Sequence, residues 1–161
     1  MFKGLLILLT LLLLLPNLVQ RDIHPTLSYD GKERFDPSLS RLSSVSLLEN
    51  YTDSLAAVKG IERGSFAYAE LLERVIEDRF YHGFSHYSPA ENWIAALAGR
   101  LIKEDYSCKV DPESILQHPN AACSQQSLVM MAVLRRKGMD YRSVGFPHHY
   151  ALEVYIGNDW Y

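Results

Sequence analysis

Excess basic charge is the first thing this sequence lacks: 16 lysines and arginines stand against 19 aspartates and glutamates, for a net charge of −3 over 161 residues. With no basic stripe to gather phosphates, nucleic-acid binding is excluded as a function class. The 9 glycines nowhere form a phosphate-cradling loop, and no metal-ligand cluster of convincing spacing occurs, so no cofactor is expected. Cysteine is limited to Cys108 and Cys123. Two readings of Cys123 therefore stay open, a free thiol or half of a disulfide with Cys108. Internal repeats and low-complexity tracts are absent beyond the N-terminal leader.

What is present begins with that leader. Residues 1–20 carry Lys3 ahead of an apolar run from Leu5 to Leu15, which Pro16 and Asn17 interrupt. A signal h-region needs about 7–15 apolar residues and a spanning helix about 20, so the run fits the first better. No small-x-small cleavage site follows. A cleaved signal peptide and an uncleaved membrane anchor both stay open, and either implies export, to the cell envelope or beyond. Residues 21–36 are polar and punctuated by Pro25 and Gly31, which reads as a linker, leaving 37–161 as one domain.

Within that domain "PSLSRLSSVSLLENY" and "TDSLAAVKGIERG" read as short, loosely patterned helices. In "SFAYAELLERVIEDRFYHG" the helical spacing of Tyr68, Leu72, Val75, Ile76 and Phe80 predicts one buried stripe, ended by Gly83. "SPAENWIAALAGRLIKEDY" offers Ser88 as N-cap, Pro89 at the first helical position and Glu91 to close a capping box, with Trp93, Ile94, Leu97, Leu101 and Ile102 as its core face. "DPESILQ" predicts a capped turn from Asp111. A third clear helix opens at Asn120 as cap, turns Leu128, Ala132 and Leu134 inward, and stops at Gly138 after the cations "RRK", read as a solvated end. The period then changes from 3.6 to 2. "YRSVGF" and "HYALEVYI" alternate as strands, and "GND" turns the second toward Trp160. Helices first and strands last predict an α+β fold, with a small, incomplete antiparallel sheet packed on the cysteine helix.

A cap at Asn120 sets Cys123 in the first helical turn, where backbone N–H groups lack partners and the dipole favours a thiolate. The same N–H groups suit an oxyanion formed by attack on a carbonyl. A histidine at the edge of the adjoining sheet could take the thiol's proton and return it to a leaving group.

Cysteine at a helix start followed by "HYALEVYIGNDW" from His149 resembles the transglutaminase-like superfamily. Its histidine strand reads roughly H-A-W-V-E-V-Y-x-D-G-x-W, and here Glu153, Val154, Tyr155 and Trp160 match without a gap. The resemblance covers residues from about Asn120 to Tyr161. It implies a papain-like core, Cys123 as nucleophile and His149, rather than His148, as general base and acid. It also implies a protein or peptide substrate, with acyl transfer or amide hydrolysis as the reaction. The family's third residue, an Asp just past the Trp, has no counterpart here. Asp159 sits in the turn, and Glu153 lies four strand positions from His149, roughly 13 Å away. The sequence thus reads as a fragment of a longer enzyme, or else as a shortened, non-catalytic, membrane-tethered binding or assembly module.

Minor patterns carry less. Gln117 has the spacing of an oxyanion glutamine but reads better as a solvated helix end. His82 and His86 stand four apart, yet Gly83 and Ser85 between them argue loop rather than a metal-binding helix. Asn50-Tyr51-Thr52 matches the glycosylation acceptor pattern.

Overall fold

A computed structural model describes residues 2–18, 23, 29, 31–147 and 149–161. The elements are α1 (Phe2–Leu14), α2 (Val45–Lys59), α3 (Phe66–Arg79), α4 (Pro89–Leu101), α5 (Pro112–Ile115), α6 (Cys123–Arg136), β1 (Tyr141–Phe146), β2 (His149–Ile156) and β3 (Asp159–Trp160). The fold is α+β: helices, then a three-stranded antiparallel sheet of order β1-β2-β3. Contacts divide the chain into two units, 1–28 with 86–109 and 29–85 with 110–161.

In the second unit local signals explain most element ends. The Ser44 hydroxyl accepts from Leu47 N–H at 3.2 Å and Ser65 from Tyr68 N–H at 3.2 Å, capping α2 and α3. The Glu113 carboxylate on α5 also accepts from Val45 N–H, at 3.2 and 3.3 Å. The two short helices expected over 37–64 are divided differently: Pro37–Arg41 form a 3-10 turn capped by Asp36, and α2 then runs unbroken from Val45 to Lys59, because Thr52 is fully buried and continues the stripe of Val45, Leu48 and Ala56. On α3 the expected stripe is buried as drawn, with Tyr68 and Leu72 at 0% exposure. Asp111 caps α5, accepting from Ser114 N–H at 2.9 Å.

Helix α6 departs from expectation at its start. It begins at Cys123 with Ala122 in the cap position, and Asn120 instead donates its amide to the carbonyls of Gly83 and Phe84, at 3.2 and 2.8 Å. Long-range partners outcompete the local cap. Val129, Val133 and Leu134 form its buried stripe, with Leu128 and Ala132 at the margin, and they meet Leu152, Val154 and Ile156 of β2. The end is as expected, Gly138 taking φ 67°. The "RRK" end is not simply solvated: Lys137 pairs with Glu49 and Asp53 of α2, each at 2.7 Å. Burial pushes both carboxyls up, but Lys137 and their other partners more than offset it, and both end below the usual range.

The β2–β3 turn is made by Gly157 and Asn158, both at positive φ, so Asp159 starts β3 rather than lying in the turn. Arg79 is 1% exposed; among the described residues its hydrogen bonds go to carbonyls, Leu116 at 2.8 Å, His118 at 3.1 Å and Ser40 at 3.4 Å, and its guanidinium lies over the Phe80 ring at 4.7 Å. Burial without a carboxylate pulls its pKa down to about 10.

The first unit holds α1 and α4. The capping box forms, with Glu91 accepting from Ser88 N–H at 2.8 Å, but the helix breaks at Asn92, whose side chain caps the second segment through Ala95 N–H at 3.1 Å. The face is the reverse of the expected one. Ala96 and Gly99 are buried, while Ile94, Leu97, Leu101 and Ile102 are exposed. Close packing decides this: a Cβ on Gly99 would stand 2.1 Å from Ser107 Oγ, a gap no large side chain could enter. Helix α1 exposes its leucines, and no helix among the described residues is long and apolar enough to cross a membrane. The linker expected at 21–36 lies partly outside the described residues. Of its described part, Phe35 packs edge-on against Tyr81 at 5.3 Å.

Candidate functional site

A cavity of about 550 Å³ opens in the second unit between α3, α6 and β2. Cys123 and His149 both line it. On α6 the positions 123, 126, 127 and 130 form one helical stripe, so Cys123, Gln126, Ser127 and Met130 make one wall. Glu70, Glu73 and Glu77 follow the same i, i+3, i+7 spacing on α3 and face them.

Cys123 is partly buried and opens the helix. Ala122 has no side-chain acceptor, and among the described residues no side chain caps the first-turn N–H groups next to the thiol. That turn is held by Gln125, which is 2% exposed. Its Oε1 accepts from Ser85 N–H at 2.9 Å and from Ala122 N–H at 3.3 Å, and its Nε2 donates to Ser85 carbonyl at 2.9 Å. Gln125 is not among the residues the sequence singles out. Its signal was there, a glutamine three residues after the true cap, but it is legible only once the helix start is moved from Asn120 to Ala122.

His149 is the first residue of β2 and is exposed. Pleating places it with Ala151 and Glu153 on one face, while Leu152 and Val154 turn to the helices. Its ring stacks on Phe146 across the strand pair, centroids 6.4 Å apart, and no hydrogen bond joins it to Cys123 among the described residues. His148 lies outside the described residues. Glu153 pairs with Arg142 on the sheet's outer face.

The backbone ties the Cys123 end of this arrangement together. Tyr81, just past α3, bridges Asn120: Tyr81 N–H donates to Pro119 carbonyl and Ala121 N–H to Tyr81 carbonyl, each at 3.1 Å. The exit of α3 therefore adjoins the entry of α6, which sets Glu77 at the Cys123 end of the cavity. At the other end Phe66 packs on Tyr161 at 5.0 Å, and Tyr161 pairs with Val154.

Cys108 is also free, in the first unit. Its Sγ stands 3.9 Å from His86 Nδ1, but that nitrogen already contacts Ser107 Oγ at 2.9 Å, and Nε2 faces Glu104 at 3.3 Å. Burial, then Asp105 and Glu104, push the Cys108 thiol up to about 11. Among the described residues no metal-binding group of side chains occurs, and His82 sits in a loop. Gln117 donates to Ser43 carbonyl at 2.7 Å, a structural tie.

Comparison with family models, with curated proteins and with solved structures gave no match to this chain.

Proposed function

We propose that the chain carries a transglutaminase-like, papain-like core and performs thiol-dependent acyl transfer or amide hydrolysis on a protein or peptide, at the cell envelope to which the leader directs it. The observation that carries this reading is that Cys123, in the first turn of α6, and His149, at the head of β2, line one cavity. In the reaction His149, at the open head of β2, turns its ring from Phe146 toward the thiol, and Cys123 Sγ bonds to the amide carbon as the imidazole takes the thiol proton. The uncapped first-turn N–H groups hold the oxyanion. The C–N bond breaks as the imidazolium returns the proton to the departing amine, and water or a second amine resolves the thioester.

One observation favours a second reading, a non-catalytic membrane-tethered module: His149 lies on the strand face turned away from the helices, stacked on Phe146 instead of bonded to the thiol. Alkylation of the full chain by iodoacetamide, held in neutral detergent and read by mass spectrometry, separates the two. The catalytic reading expects Cys123 to react at pH 7 faster than a free cysteine, with the rate falling about tenfold or more in His149→Ala and persisting in His148→Ala. A rate indifferent to His149 removes the pair and leaves the module.

A further inference from the structure

The thiol-to-imidazole chemistry makes no use of the opposite wall of the cavity. Glu70, Glu73 and Glu77 line it, and none makes an ion pair or side-chain hydrogen bond among the described residues. Among the described residues no lysine or arginine lines the cavity, and Arg74, on the same helix, is outside the lining. The wall is thus a row of uncompensated negative charge in a concave site, the arrangement that concentrates cations.

A second, independent feature faces it. Ser127 is 9% exposed and lines the cavity, yet its hydroxyl has no hydrogen-bond partner among the described residues. Helical hydroxyls commonly bond back to the carbonyl four residues earlier, as Thr52 and Ser54 do at 3.0 and 2.8 Å on α2. Ser127 does not. The Oγ of this largely buried residue is open to the cavity, where a ligand's polar group can reach it.

We infer that this cavity is a subsite for an extended peptide with basic side chains, its cations along Glu77, Glu73 and Glu70 and a backbone group on Ser127. The three carboxylates span seven residues of helix, about 10 Å, which is the length of about three extended residues. Since Glu77 adjoins the Cys123 end, basic residues within three positions of the attacked carbonyl are the ones selected. The direction along the peptide rests on Cys123 being the reacting thiol; the binding itself does not.

The test uses the full chain carrying Cys123→Ala in neutral detergent, so that no chemistry intervenes. The probe is a fluorescein-labelled hexapeptide alternating glycine and arginine, compared by anisotropy with one holding glutamate in place of arginine. The arginine peptide is expected to bind at least tenfold tighter and to weaken as salt is raised. Glu73→Gln with Glu77→Gln should weaken it about five- to tenfold, and Ser127→Ala by a few fold. Equal affinity for both peptides, or indifference to the glutamate substitutions, overturns the subsite. Displacement by an equal concentration of free argininamide overturns the extended-peptide assignment. Selective binding together with His149-independent alkylation would sink the catalytic reading alone, and His149-dependent alkylation without selective binding would sink only the subsite.

Discussion

Gln125→Leu is the substitution with the clearest energetic consequence. The carboxamide is 2% exposed and satisfies Ser85 N–H, Ser85 carbonyl and Ala122 N–H, on residues that are themselves each 2% exposed. Leucine fills a similar volume and leaves three buried polar groups without a partner. Each such group costs about 1–3 kcal/mol when water cannot reach it, and a loop can relax to rehydrate some of that loss. The net expectation is about 3 kcal/mol. With a urea slope near 2 kcal/mol/M, the unfolding midpoint followed by far-ultraviolet circular dichroism should fall by about 1.5 M. Because the same bonds fix the turn that carries Cys123, alkylation of that thiol should change in parallel under native conditions. A midpoint shift below about 0.5 M would show that the network is replaceable and that the helix start needs no glutamine.

Lys137→Met should cost about 2 kcal/mol at neutral pH, because it strips Glu49 and Asp53 of their shared, mostly buried partner. Both carboxyls have folded pKa values below their unfolded ones, so their contribution is present above about pH 4 and fades as the pH falls through the folded values. The gap between wild type and variant, read by urea titration, should therefore close on acidification. Gly99→Ala should lower stability by about 1–3 kcal/mol despite alanine's helix preference, since the new Cβ would meet Ser107 Oγ at 2.1 Å; a stabilised variant by thermal melting would refute that packing. With its thiol held up near 11, Cys108 should remain largely unlabelled by iodoacetamide at pH 7.5 while the protein is folded and label readily in urea. Labelling of Cys108 at equal rates in both states would contradict its burial.

Features written into neighbouring residues were legible in the sequence. Ser88 with Glu91, Asp111 with Ser114 and Gly138 after a basic turn each act within one helical turn, and each appears in the structure as drawn. The change from helical to alternating periodicity likewise located β1 and β2. What escaped was decided by partners far along the chain. Asn120 would make a good local cap but is drawn to the carbonyls of Gly83 and Phe84, and that displacement hid the role of Gln125. The apolar count of α4 pointed to Ile94, Leu97 and Leu101, whereas the small residues Ala96 and Gly99 allowed the close approach that decided its buried side. Cys123 and His149 were picked out by spacing and resemblance. The glutamate wall opposite them carries no motif, because three exposed carboxylates on a helix look like any solvated face until a cavity is found in front of them.

The backbone bridge between Tyr81 and Asn120 fixes one end of the cavity, and a side-chain relay fixes the other. At the thiol end α3 and α6 are joined through main-chain hydrogen bonds, which cannot slide without breaking. Toward the far end Tyr68 on α3 donates its hydroxyl to Asp53 at 2.7 Å, and Lys137, just past α6, holds the same carboxylate at 2.7 Å. Two rods fastened at both ends make a frame, so fitting a ligand falls to side-chain rotation along the walls while the helices keep their spacing.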